Sequence, residues 1–432
     1  MKKILIIGGG LSGLSSALYL TEMGFQVEIV EASPKLGGRT YSFEYKGKNR
    51  VIDNGQHILM GCYSHTLDYI NKIKSEDKIY FQDSLQINYA SPDNKIYNLS
   101  VPEKFYPLNF LYSFINFKLL TFNERKEVLK FLFRLKTIQK QIRNDQSVKS
   151  LLSANGQSSS TIKTFWKLVV ISAMNTPIEI ASAELFVEMI KIIFFSGKKS
   201  SAIIIPNTGL SEALVNPAMD LILSKGGTIS SSERVLKIEI EGERITKVIT
   251  SSREINDFDF VISAITAENL LKIIPENLKN RMNIPVFDYS SIISVNLWLD
   301  ENPLKEKFYG IIGGEFHWLF NKGEYVSLIK SAANNMINLN KNDLIEIAKS
   351  EIKKYFTILN NTEVIDSKII KERKATLISD SNSVKQRRKL IHNFNNLFIV
   401  GDWTNTGLPG TIESSVKSGK MISELILSQS PK

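Results

Sequence analysis

The stretch from Ile4 to Glu31 limits the fold of this chain more than any other. Ile4-Leu5-Ile6-Ile7 is an unbroken apolar run, and Gly8-Gly9-Gly10-Leu11-Ser12-Gly13 follows at once. Leu14 to Met23 then has helical spacing, and Gln26 to Val30 reads as a second strand ending in Glu31. Strand, glycine turn, helix, strand and acid in that order specify a βαβ unit of a parallel sheet covered on both faces. Each part has a task toward a dinucleotide. Gly8 permits the tight turn, Gly10 lets backbone approach a pyrophosphate, and Gly13 lets helix and strand pack closely. The helix start at Leu11 and Ser12 offers free N–H groups and the positive end of the helix dipole. Glu31, followed by Ala32, would accept hydrogen bonds from adenosine ribose hydroxyls and repel a 2′-phosphate, which favours FAD or NAD over NADP. Gly37-Gly38-Arg39-Thr40 comes after a short loop, so a second pair of glycines and a bidentate cation can close over the same diphosphate.

Three further segments narrow the reading. They are Asp53-Asn54-Gly55-Gln56-His57 with Gly61-Cys62-Tyr63, then Ala173-Met174-Asn175-Thr176-Pro177 with Ala181-Ser182-Ala183, and the run from Gly401-Asp402-Trp403 through Pro409-Gly410-Thr411-Ile412-Glu413 to Gly419. With the N-terminal fingerprint and its Gly-Gly-Arg turn, these resemble the flavin-containing amine oxidase and phytoene desaturase superfamily, and within it the squalene-associated FAD-dependent desaturases. The resemblance runs nearly end to end. It implies an α/β fold in which a Rossmann-type FAD-binding domain carries an inserted α+β substrate domain. It places Gly55, Gln56 and His57 beside the flavin ring and Val235 against the adenine. Asp402, at the end of the expected strand Leu397 to Val400, is placed to meet the ribityl chain. Gly410, Thr411 and Ile412 open a helix after a Pro-Gly turn, and its N–H groups would face the flavin N1/O2 edge, where a helix N-terminus stabilises anionic reduced flavin.

At 432 residues, with 43% hydrophobic and 23% charged residues, the chain suits two intertwined domains with a shared core. The FAD domain is expected to be discontinuous, over 1–90, 203–285 and 388–432, leaving 91–202 and 286–387 for the substrate domain. Expected strands are Ile229 to Ile240, Arg244 to Thr250, Asp259 to Ala264, Ser291 to Leu299 and Phe316 to Phe320, and a helix is expected from Ser211. The net charge of +10 is spread along the chain, so no nucleic-acid partner is expected. Cys62 is the sole cysteine and the four histidines lack ligand spacing, which argues against disulfides and metal catalysis. The apolar run after Lys2-Lys3 is too short for a signal peptide, and no stretch reaches the roughly 18 to 20 residues of a membrane span. A cytoplasmic location is expected, with attachment to the inner membrane face left open. The aromatic run Phe105, Tyr106, Phe110, Tyr112, Phe114 and Phe117 is flanked by Lys104, Lys118 and Arg125, and fits either a core or a helix in a headgroup layer.

The resemblance implies a reductive reaction on a long-chain isoprenoid: hydroxysqualene loses its allylic hydroxyl as water and gains a hydride from reduced flavin. That chemistry needs a proton for the leaving oxygen and an apolar cavity that keeps water off the cation. His57 leads as proton donor or water-holder, with a role in ordering the FAD loop as the competing reading. His317 and Asn175 come next, and Glu315 and Tyr63 are weaker. His65 and His392 read as surface or capping residues, and Lys374 as a surface lysine rather than a flavin-facing one. No second dinucleotide fingerprint occurs, so electrons would come from NAD(P)H or a separate reductase. A carotenoid-type desaturase or isomerase, a non-catalytic FAD scaffold and, less favoured for want of an aromatic cage, an amine oxidase are the alternatives.

Overall fold

Short apolar runs, Ile4 to Ile7, Phe260 to Ile262 and Leu397 to Val400, form the inner strands, because a parallel strand flanked by helices has no solvent-facing side. In the computed structural model, which describes residues 1–45, 50–104, 106–391 and 393–429, these lie in a six-stranded sheet. Its order is Thr228–Ser230, Gln26–Val30, Lys3–Ile7, Phe260–Ser263, Leu397–Ile399 and Asn393–Phe394. The first five are mutually parallel and the last is antiparallel. The Rossmann-type α/β architecture is therefore present. The helices Leu11–Glu22 and Ile412–Ser428 pack together on one face, and small residues let them approach. A Cβ on Gly419 would lie 2.7 Å from the Ser12 carbonyl oxygen, and Ser15 Oγ donates to the Val416 carbonyl at 2.9 Å. The first and last parts of the sequence thus share one core, which contains Ile6, Leu14, Leu18, Val416 and Ile426.

The second sheet has seven strands, in the order Val364–Leu377, Tyr289–Leu299, Tyr325–Lys330, Trp318–Asn321, Phe308–Ile311, Leu85–Ala90 and Ile96–Val101. The helix Lys341–Tyr355 packs on this sheet through Leu344, Ala348 and Ile352. Between residues 109 and 195 the chain is helical, and its core is aromatic: Phe114, Phe117, Phe131, Phe165, Trp166 and Phe186 are all buried. Tyr106 to Phe117 is thus divided between core and surface, with Phe110, Phe114 and Phe117 inside and Tyr112 outside. Phe105 and His392 lie outside the described residues.

Several local expectations are corrected. Ile229 to Ile240 is two strands, Thr228–Ser230 in the parallel sheet and Val235–Glu241 in a separate antiparallel one, because Ser232 takes a left-handed φ of 58° and turns the chain between sheets. The helix from Ser211 begins as a π turn, Ser211–Val215, before Asn216–Ser224. The strand expected at Phe316 starts only at Trp318, since the N–H groups of Glu315 and Phe316 donate to the Glu351 carboxylate at 3.0 and 3.2 Å. Leu85–Ala90, inside the 1–90 segment, pairs with Phe308–Ile311 in the seven-stranded sheet and not with the nucleotide sheet.

Candidate cofactor and active site

At the C-terminal edge of the parallel sheet two glycine turns meet. Gly8 has a φ of 107°, Gly37 of 101° and Gly38 of 61°, conformations that side chains resist. Gly37 N–H donates to the Gly9 carbonyl at 2.8 Å, and a Cβ on Gly38 would stand 3.2 Å from Gly10 Cα. A Cβ on Gly13 would fall 2.0 Å from the Gly8 carbonyl oxygen, which is the close packing of helix on turn expected there. Glu31 holds this geometry: its carboxylate accepts from Gly9 N–H and Ser33 N–H, both at 2.7 Å.

The helix Leu11–Glu22 starts at Gly10 with no side-chain cap and no acid in its first turn. Its first N–H groups therefore lack the usual side-chain acceptor. In front of them a Cβ on Gly10 would meet only Gly38 Cα, at 3.9 Å, so the approach is open. Uncapped donors on a glycine floor fit a diphosphate. Among the cofactor residues expected around them, Leu11, Ser12 and Thr40 are buried, Ala32 and Gly38 are exposed, and Val235 starts the strand that leaves the edge of the sheet.

The C-terminal motif closes on the same place. Gly401 has a φ of 154° and donates its N–H to Ser418 Oγ at 3.0 Å. Asp402, buried at the strand end, accepts from Arg39 Nη2 at 2.6 Å, and Arg39 Nη1 donates to the Ala375 carbonyl at 2.9 Å. Arg39, expected over the diphosphate, thus ties the N-terminal glycine turn to the C-terminal loop. Burial opposes the Arg39 charge, and the Asp402 carboxylate outweighs it, leaving the guanidinium above its ordinary pKa. Thr411 caps the last helix, its Oγ1 accepting from Ser414 N–H at 3.2 Å, so the N–H groups of Ile412 and Glu413 lie ahead of that bond. Gly410 stands beside Asp402: a Cβ there would lie 3.1 Å from Oδ2. The Glu413 carboxylate, buried, accepts from His65 N–H, Thr66 N–H and Thr66 Oγ1 at 3.0, 2.8 and 2.7 Å and so caps the helix Ser64–Lys72.

The loop from Asp53 to His57 is held from below. Asp53 accepts from Ser42 Oγ at 2.7 Å and Leu210 N–H at 2.8 Å, and Asn54 Nδ2 donates to the Arg39 carbonyl at 2.6 Å. Gly55, Gln56 and His57 continue from this anchor as half-buried loop. Burial lowers the His57 pKa below the ordinary histidine value, with Asp53 opposing and Arg39 adding to the shift, so the imidazole is neutral at neutral pH. His317 is pushed down to about 3, chiefly by burial and then by Lys330 and Lys167.

His317 and Asn175 converge on one turn. His317 Nδ1 accepts from Ser331 N–H at 3.1 Å, and Asn175 Oδ1 accepts from Ala332 N–H at 2.7 Å. Asn175 Nδ2 donates to Thr376 Oγ1 at 2.9 Å, one residue from the carbonyl that receives Arg39. Asn175 thus links the Ala332 turn to the strand whose Ala375 carbonyl receives Arg39 of the glycine turn. Glu315 is exposed and pairs with Lys330 at 3.3 Å, and Lys374 is exposed and pairs with Glu268. Burial raises the Tyr63 phenol and pushes the Cys62 thiol up to about 12.

Arg387 is the residue that sequence reasoning passed over. It is 1% exposed, and its guanidinium donates to the carbonyls of Thr404 (2.9 and 2.5 Å), Leu408 (2.7 Å) and Asp402 (3.3 Å). It shapes the Asp402 to Pro409 loop from inside. Burial pulls it down to about 10, with Asp402 opposing, so it remains charged at neutral pH.

The family model for flavin containing amine oxidoreductase matches residues 11–427. Hydroxysqualene dehydroxylase of Zymomonas mobilis subsp. mobilis is 25% identical, with 98% of this chain and 99% of that protein covered. The protein of the same name from Sinorhizobium fredii is 24% identical, with 99% of each covered. The 15-cis-phytoene desaturase of Glycine max is 23% identical over 99% of this chain and 80% of its own length. Among solved structures, an oxidoreductase from Methanosarcina mazei superposes with a TM-score of 0.75 at 18% identity, covering 98% of this chain and 100% of its own. A putrescine oxidase variant superposes with a TM-score of 0.76 at 12% identity, covering 99% of each. The chain belongs to the flavin-containing amine oxidoreductases, and its cofactor is FAD.

Proposed function

We propose that this flavin-dependent oxidoreductase of isoprenoid metabolism removes the allylic hydroxyl of hydroxysqualene reductively, forming squalene and water. The observation that carries the reading is the end-to-end match to hydroxysqualene dehydroxylases, without a large insertion in either chain. The aromatic core of the helical region supports it.

The uncapped start of the Leu11–Glu22 helix, Gly10, Gly37 and Gly38 would hold the diphosphate, Glu31 and Val235 the adenosine end, and Asp402, Gly410 and Ile412 the flavin end. Reduced FAD supplies the hydride that replaces the leaving oxygen. The rest falls to the protein. In the overall change one C–O bond breaks, one C–H bond forms from the flavin hydride, and one proton drawn from solvent, through a water that His57 would hold, joins the departing oxygen to give water. A neutral His57 donates one N–H hydrogen bond and stores no charge, so it positions the hydroxyl or a water rather than holding a ready acid. His317 and Asn175 hold the Ser331-Ala332 turn, which makes them positioning residues in this reading. The reaction would need apolar surroundings that keep water from trapping the carbocation. The electron donor is NAD(P)H or a separate reductase.

Lipid extracted from cells that make this protein beside a hydroxysqualene-forming partner tests the reading by mass spectrometry. Squalene replacing hydroxysqualene is the expected result. Unchanged hydroxysqualene, or a product lighter by two hydrogens, would end the dehydroxylase assignment in favour of no turnover or of desaturation.

A further inference from the structure

The helices Asn109–Asn116 and Phe122–Phe133 form an antiparallel pair on the surface of the helical region. Phe110, at the start of the first, packs on Phe133, at the end of the second, with ring centroids 5.8 Å apart. At the opposite end Arg125 donates to the Ile115 carbonyl at 2.5 Å. Phe110 also packs on Phe195, the last residue of the helix Ala183–Phe195, at 5.6 Å, which joins three helix ends in one face.

That face is apolar and uncovered. Leu108, Tyr112 and Ile115, spaced i, i+4 and i+7, are 54%, 64% and 57% exposed, and Phe122 and Phe133 are 67% and 57% exposed. Burial would favour each of them, and isolated exposed apolar residues are ordinary, but a stripe on a helix pair with a shared aromatic anchor marks a contact surface.

The charge pattern identifies the partner. From residue 104 to 144 there are nine lysines and arginines and two acids. Both acids are turned inward: Glu124 binds Thr121 N–H at 2.7 Å and Ser160 Oγ at 2.5 Å, and Glu127 binds Ser158 N–H at 2.8 Å. Lys126 and Lys130 stand one and two turns after Phe122 on its own side of the helix, and both are exposed, as are Lys104, Lys118 and Arg134. Lys126 lies over the Phe122 ring at 4.3 Å, so cation and aromatic project together. Large apolar tips among long basic side chains, with the acids withdrawn, match the interface of an anionic bilayer, where rings enter the acyl boundary and ammonium groups meet phosphates. No helix among the described residues is long and apolar enough to cross a membrane, so the contact is a docking and not a span.

We propose that this helix pair docks the protein on anionic phospholipid bilayers through Leu108, Tyr112, Ile115, Phe122 and Phe133, with Lys126 and Lys130 engaging the headgroups. The benefit to turnover, delivery of an oily substrate from the bilayer, rests on the function proposed above. The docking does not, because it is read without substrate.

FAD-loaded protein is sedimented with vesicles of phosphatidylcholine alone or with 30% phosphatidylglycerol (a mole fraction on the order of a natural anionic surface). Binding to the anionic vesicles at least about tenfold stronger, and weakened by added salt, is expected. Phe122→Ser with Phe133→Ser should lose about tenfold of that binding while keeping FAD absorbance, with only a small fall in melting temperature from the lost Phe110–Phe133 contact. Lys126→Glu with Lys130→Glu, a surface change that spares the core, should abolish the preference for anionic lipid. Equal binding to both vesicles, binding unaffected by either pair, or a dimer in light scattering that the Phe pair dissolves would overturn the proposal, the last by assigning the face to a second copy. Failure of the dehydroxylase reading would appear instead as vesicle binding intact with hydroxysqualene unconsumed.

Discussion

Replacing Arg387 by methionine isolates what a buried cation contributes to the flavin loop. Methionine keeps most of the volume and removes every donor. Three carbonyls, those of Asp402, Thr404 and Leu408, lose their partner in a site that is 1% exposed. Hydrogen bonds from a charged donor are worth about 1.5 to 3 kcal/mol each, so the gross loss over three carbonyls is roughly 5 to 9 kcal/mol. Against it stands the cost of burying the charge. A guanidinium pulled from 12.5 to about 10 carries a burial cost of roughly 3 kcal/mol, which methionine avoids. The net destabilisation is about 2 to 6 kcal/mol. With an unfolding entropy of about 2.1 cal/mol/K per residue, the 432-residue chain has roughly 0.9 kcal/mol/K, so Tm should fall by about 2 to 7 °C. The loop that relaxes carries Asp402 and leads to Gly410, so FAD should also dissociate faster. Thermal melts of holoprotein and apoprotein, with FAD release followed by fluorescence, read both effects. Arg387→Lys, which keeps the charge but not the planar fork, should fall between. If Arg387→Met melts within 1 °C of the parent protein (~1 kcal/mol on this scale) and holds FAD as well, the loop is not shaped by this side chain.

Three other perturbations follow from the geometry. Gly13→Ala places a methyl 2.0 Å from the Gly8 carbonyl oxygen, so the variant should lose about 1 to 3 kcal/mol and purify with little FAD, as its absorbance near 450 nm (~the flavin band) would report. His57→Ala should keep its yellow colour and lose about 10²-fold in turnover. Since burial keeps His57 neutral below its ordinary pKa, the parent protein's rate should stay level as pH falls through about 6.5 and decline only at lower pH. Loss of FAD in the alanine variant would make the histidine a cofactor residue instead. His317 is neutral in the fold down to about 3, whereas the unfolded chain takes up the proton near 6.5. The native state therefore loses stability as pH falls between those values, on the order of 5 kcal/mol in all. His317→Gln, which can still accept from Ser331 N–H, should flatten that part of the stability curve measured by denaturant melts.

The nucleotide half of the molecule was legible because its signals are local. Lys3–Ile7, Phe260–Ser263 and Leu397–Ile399 are largely buried, so each announces itself as an apolar run, and the glycines stand where a Cβ would collide with a neighbouring turn. What escaped is what long-range pairing decides. Leu85–Ala90 alternates like any half-buried strand, and nothing near it says that its partner is Phe308–Ile311, more than two hundred residues on. Arg39 and Asp402 were each read as ligand contacts, but they are 363 positions apart and the sequence carries no mark that they bind each other. Arg387 and Arg388 are adjacent and chemically identical, yet one is buried in carbonyls and the other pairs with Glu184 at the surface. Only the helix phase, which puts Arg387 on the same side as buried Val384, separates them.

The proposed reaction is removal of an allylic hydroxyl by reduced FAD in this site. Purified protein, reduced without oxygen and mixed with hydroxysqualene in detergent, should form one squalene for each flavin that returns to the oxidised spectrum. Flavin that stays reduced while hydroxysqualene is recovered intact would contradict it.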